Sequence, residues 1–158
     1  MIKDILTLAA SIAVCLLAGV IGSIYTYPSI PTWYAGLIKP ALNPPNWVFG
    51  PVWTTLYVFM GIALFLVIRK WNFDKASITA LSVFALQLAF NSLWSIVFFG
   101  WRQLFGGLLV IAVLWCLIAA SIYLMGKLNK WAGALLVPYL LWVSFASYLT
   151  WAVWVLNR

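Results

Sequence analysis

Five runs of predominantly apolar residues, at about 5–26, 47–69, 77–99, 104–125 and 132–156, constrain this chain more than any other feature. Each is close to the ~20 residues with which an α-helix crosses ~30 Å of hydrocarbon. A segment in hydrocarbon must pair its own backbone groups, which leaves helices or a closed barrel. The runs are continuous rather than alternating, and an odd number of long segments has no simple place in a barrel, so helices are expected. Composition agrees: 66% of the residues are hydrophobic and 7% charged, whereas about a quarter of an ordinary soluble chain is charged. The expected fold is an all-α membrane protein of one domain: a compact bundle of five transmembrane helices, with a long structured loop, residues 27–46, between helices one and two. The other connections are short, which makes sequential helices antiparallel neighbours.

The nine basic and two acidic residues lie at the ends of the runs or between them, where water or headgroups receive them. Lys3, Arg69, Lys70, Lys75, Lys127 and Lys130 fall on the side of the N-terminus, against Lys39, Arg102 and Arg158 on the other. Six against three favours an N-terminus inside. The same scatter excludes a continuous basic surface for nucleic acid. Trp33, Trp47, Trp71, Trp101 and Trp131 sit near run ends, the depth at which indoles anchor. Cys15 and Cys116 both lie within apolar runs, so neither a disulfide nor a cysteine metal cluster is expected.

Polar residues at membrane depth are the informative ones. In run three Gln87, Asn91 and Ser95 recur every fourth residue, with Trp94 beside them, and this strip should face the bundle interior because an unpaired amide in hydrocarbon costs about 1–3 kcal/mol. In run five Pro138, Trp142 and Ala146 share a face; the proline should open the helix locally, and the large ring beside the small residue offers a wall and a recess for a flat ligand. Trp53 and Tyr57 are likewise one turn apart in run two. Run one carries Thr7, Ser11, Cys15, Gly19 and Gly22, a narrow stripe for close helix packing. Ala85 and Ala89 in run three suit either a dimer interface or a contact within the bundle. The loop holds five of the seven prolines, and Trp33, Tyr34, Leu37 and Trp47 give it apolar surface that should fold back over one mouth of the bundle as a lid. Asn46 is the expected cap of the helix that follows, with Pro51 bending its entry.

Histidine is absent, and Asp4 and Asp74 are the only side-chain carboxylates. No paired acids, phosphate-binding glycine loop or metal-ligand set can be assembled, so hydrolytic and acid–base chemistry has no support and no metal is expected. What the residues favour is a neutral, indole-rich pocket for a large flat ligand held by stacking and one or two hydrogen bonds.

The stretches "WYAGLIKPALNPPNWVFGPVWTTLY", "QLAFNSLWSIVFFG" and "LLVPYLLWVSFASYL" resemble, in order and over the whole chain, the tryptophan-rich sensory protein and translocator protein family, which includes the mitochondrial peripheral-type benzodiazepine receptor. The compact chain looks like a bacterial member, which implies a multi-pass protein of the bacterial cell membrane. The resemblance implies a bundle that is often a homodimer and that binds porphyrins such as protoporphyrin IX or haem and, in many members, sterols and synthetic isoquinoline or benzodiazepine-type ligands, with no required cofactor. It implies ligand-binding roles for Tyr34, Pro45, Trp47, Trp53, Asn91, Trp94, Trp142 and Ala146. A receptor or sensor is the leading function; transport of tetrapyrroles or sterols, structural assembly, and light- or oxygen-dependent porphyrin breakdown involving Trp53 or Trp142 are the alternatives. Two departures stand out. Tyr148 has no basic residue after it until Arg158, too far for the sterol-recognition pattern, and Thr150 replaces a frequent family Asn.

Overall fold

The computed structural model describes residues 2–70, 72 and 74–158. Trp71, expected as an interfacial anchor, lies outside the described residues. Five helices, α1 (Ile2–Ser29), α2 (Asn46–Ile68), α3 (Lys75–Ser95), α4 (Leu104–Leu128) and α5 (Lys130–Leu156), account for most of it. With the π-helical extension of α3, all five are long and apolar enough to span a bilayer. The protein is a multi-pass integral membrane protein.

Around the bundle the helices contact in the order α1, α2, α5, α4, α3 and back to α1, which closes a ring. Its core is threaded by Cys15, Met60, Phe84, Leu114, Ile118, Leu136, Tyr139 and Val143, all buried. Of the small stripe of α1, Ser11, Cys15 and Gly22 are buried and Thr7 and Gly19 half-buried, and beside it the Ser92 hydroxyl of α3 donates to the carbonyl of the buried Ala18 at 2.9 Å. At Gly61 of α2 a methyl group would lie 2.5 Å from Ile12 Cα, and at Gly133 of α5 one would lie 2.8 Å from Gly126 Cα. These glycines let helix backbones meet where dispersion and packing must replace a hydrophobic drive. Ala85 and Ala89 are exposed on the outer face of α3, so neither packs within the bundle.

Three local details differ from expectation: the end of α1, the cap of α2 and the end of run three. Helix α1 continues through Pro28 to Ser29, which shortens the loop to residues 30–45; the proline removes one hydrogen bond from a helix already held by its packing. Pro45, in extended backbone at φ −57° and ψ 143°, occupies the cap position of α2, while Asn46 is already helical and its side chain makes no capping bond. The Pro45 ring fixes the entry that the asparagine was expected to supply. Pro51 and Pro138 sit inside α2 and α5, each of which continues past its proline. The end of run three is a π-helix, Ile96–Gly100, in which the Trp101 N–H donates to the Ile96 carbonyl at 2.8 Å.

That π turn anchors the lid. Ser29 donates to the Phe99 carbonyl at 2.9 Å, and Phe98 and Phe99 form a buried cluster with Tyr34 and Val153. Trp33 packs edge-on against Phe98 at 5.8 Å rather than projecting into the interface. Trp47, Trp101 and Trp131 are exposed, as membrane anchors would be.

Candidate ligand pocket

A cavity of about 490 Å³ lies beneath the lid. Asn91, one turn above the buried Gln87 on α3, sets its polar floor. Asn91 Nδ2 donates to the Tyr139 hydroxyl of α5 at 2.8 Å, and its Oδ1 accepts from the Tyr57 hydroxyl of α2. One amide thereby ties three helices together and holds two buried phenols. Below it, Gln87 Nε2 lies 3.9 Å from Met60 Sδ.

Indoles build the walls. Trp53 stacks on Tyr57 at 5.8 Å and meets Tyr139 edge-on at 6.2 Å. Trp94 stacks on Phe98 at 5.3 Å, nearly parallel. Trp142 meets Phe49 edge-on at 5.9 Å, and Ala146, one turn along α5, leaves the recess expected beside it. The Nε1 atoms of Trp94 and Trp142 are buried and have no acceptor in the protein, and the buried Gln87 Oε1 has no donor. From the lid come Ile30 and Tyr34. The Tyr34 hydroxyl donates to Asn43 Oδ1 at 3.0 Å; burial raises its pKa above the ordinary tyrosine value and the Asn43 bond lowers it, so near neutral pH it remains a donor. Thr150 also lines the cavity, but its hydroxyl donates to the Ala146 carbonyl at 2.8 Å on its own helix. It offers the cavity a methyl group where an asparagine would offer an amide.

Seven of the eight residues expected to contact a ligand, Tyr34, Trp47, Trp53, Asn91, Trp94, Trp142 and Ala146, meet at this one cavity. Pro45 does not line it and instead caps α2. Sequence reasoning missed the lining by Phe98 and Phe99 and the support from Tyr139. The tyrosine precedes Trp142 by three residues, which was a signal for a shared face; the π turn that brings both phenylalanines inward left no local sign.

The chain matches relatives along almost its whole length. It is 43% identical over 156 residues to the tryptophan-rich protein TspO of Chlorobaculum tepidum, covering 98% of each chain. Identity is also 43%, over 156 residues, to the protein of that name in Archaeoglobus fulgidus, covering 98% of this chain and 99% of that one. To the human translocator protein it is 37% identical over 135 residues, 85% of this chain and 80% of that one. The profile of the TspO/MBR family matches residues 11–155. On both grounds, the chain belongs to the TspO/MBR family.

Proposed function

We propose that this membrane protein is a receptor or sensor that binds a porphyrin, or a related flat hydrophobic molecule, in the cavity under the lid. The observation that carries this reading is the arrangement of Trp53, Trp94 and Trp142 around one cavity whose floor is the Asn91 amide. Flat aromatic surfaces reward a flat ligand through area burial and offset stacking, and the cavity volume, about 490 Å³, lies in the range of small-molecule sites. Titration with protoporphyrin IX should quench indole fluorescence saturably, and the Trp53→Ala, Trp142→Ala double variant should bind more weakly. Equal affinity of the two proteins would sink the assignment.

A second reading, light- or oxygen-dependent breakdown of the bound porphyrin, is favoured by two oxidisable indoles, Trp53 and Trp142, on the cavity wall. The excited macrocycle would supply the photochemistry, and the protein proximity. Illumination of stoichiometric complexes should give a defined product that is lost in Trp53→Phe or Trp142→Phe while binding persists. Identical bleaching in both variants and in empty micelles leaves a binder only.

A further inference from the structure

The wall of the cavity is unequal. Seven lining residues, Val20, Ser23 and Tyr27 of α1 and Asn46, Trp47, Gly50 and Thr54 of α2, are exposed, whereas every lining residue from α3, the π turn and α5 is buried or half-buried. Lower down, α1 and α2 are in close contact, with Gly61 against the Ile12 backbone and Gly19 against the Tyr57 ring. Above Tyr57 they part: a methyl group at Gly50 would meet nothing within 4 Å. Thr54 lies eight residues into α2, about 12 Å from its start, so the gap opens at acyl-chain depth in the lid-side half of the membrane. At the depth of Ser23 and Thr54 the hydroxyls are taken up by their own helices, Ser23 donating to the Val20 carbonyl at 2.8 Å and Thr54 to the Gly50 carbonyl at 2.9 Å. The Tyr27 hydroxyl and the Asn46 amide stand nearer the lid, at the end of α1 and the start of α2, so below that polar rim the gap presents carbon to whatever passes through it.

The lid, by contrast, is fastened. The Asn157 side chain just beyond α5 accepts from the Ile38 N–H at 3.0 Å and donates to the Ile38 carbonyl at 2.9 Å, as a neighbouring strand would. The Tyr34 ring is wedged against Phe98 and Phe99.

We propose that the gap between the upper halves of α1 and α2 is a lateral portal, through which the ligand passes between the cavity and the acyl region of the bilayer while the lid stays closed. The portal builds on the ligand reading of the cavity and narrows it: the occupant is a molecule that first dissolves in the membrane, and a water-borne one without apolar surface has no route in. Membrane partitioning then sets its effective concentration at the cavity.

The test follows protoporphyrin IX uptake and release by stopped-flow indole quenching in lipid nanodiscs. Gly50→Phe places a ring in open space at the portal, and both rates should fall about tenfold, inside the range over which association rates vary among variants of one site. Asn157→Ala releases the clasp and should leave both rates within about twofold of the parent, a difference of less than half a kcal/mol in barrier. Faster uptake in Asn157→Ala together with unchanged rates in Gly50→Phe would overturn the portal and make the lid the door. Nanodiscs of brominated phosphatidylcholine read the portal without ligand. The part of the acyl-chain quenching that is lost in Trp53→Phe should shrink in the Gly50→Phe background; no such part, or one that Gly50→Phe leaves intact, also overturns the portal. Absence of saturable quenching by protoporphyrin with this lipid result intact defeats the porphyrin reading alone.

Discussion

Asn91 concentrates more of the structure than any other side chain, because its buried amide serves both Tyr57 and Tyr139. Replacing it by leucine leaves two phenol groups unpaired, at about 1–3 kcal/mol each, so Asn91→Leu should lower the thermal midpoint in detergent well below that of Tyr139→Phe, which removes one phenol group. Equal midpoints would mean that the network does not stabilise the bundle. A second residue acts through the same phenol: Gly19 leaves no room for a methyl group, which would come within 2.8 Å of Tyr57 Cδ2. Gly19→Ala should therefore shift Tyr57 and weaken protoporphyrin quenching, while Gly36→Ala, with open space around it, should change nothing. Asn91 was legible in the sequence, because an amide in hydrocarbon must face the interior. Tyr139 was not, since a tyrosine among apolar residues reads as packing until its partner, 48 residues away, is known.

At the scale of elements, the five helices were legible to within a few residues from apolar length alone, and their ends were not. The prolines show why. Pro28, one of the prolines expected in the 27–46 loop, sits inside α1, because tertiary packing outweighs one missing hydrogen bond. The π turn depends on groups from elsewhere in the chain, above all the Ser29 hydroxyl on the Phe99 carbonyl. Ser29→Ala should cost about 1 kcal/mol and loosen the lid, seen as faster amide exchange from residue 34 to residue 43. Helix α3 begins at a conventional cap, Asp74, whose carboxylate accepts the Ser77 N–H at 2.8 Å. Hydrogen bonding from the Ser77 side chain, and then from its N–H, holds the Asp74 pKa below the ordinary carboxylate value, so the stabilising contribution of the cap is complete at neutral pH and is lost as pH falls through the lowered pKa. Asp74→Asn should accordingly melt with a shallower acid dependence than the parent.

For the whole molecule, the exposed pair Ala85 and Ala89 is the candidate contact for the homodimer that the family resemblance implies. Leucines at both positions should leave the monomer's thermal midpoint unchanged, because neither residue is packed, and should shift a cross-linkable dimer toward monomer. An undisturbed dimer would move the interface to another face. The closed ring of helices has a further consequence, for the order of assembly. Helix α5 must seat between α2 and α4, and the Asn157 clasp on Ile38 follows it in the chain. During synthesis the first four helices and the loop over the cavity therefore emerge from the ribosome before the wall that bears Trp142 exists. Until α5 inserts, the half-built cavity lacks the wall from Trp142 to Thr150. On the ligand reading proposed above, retention of the ligand should be acquired only with the last helix, and it would offer a timer for membrane insertion.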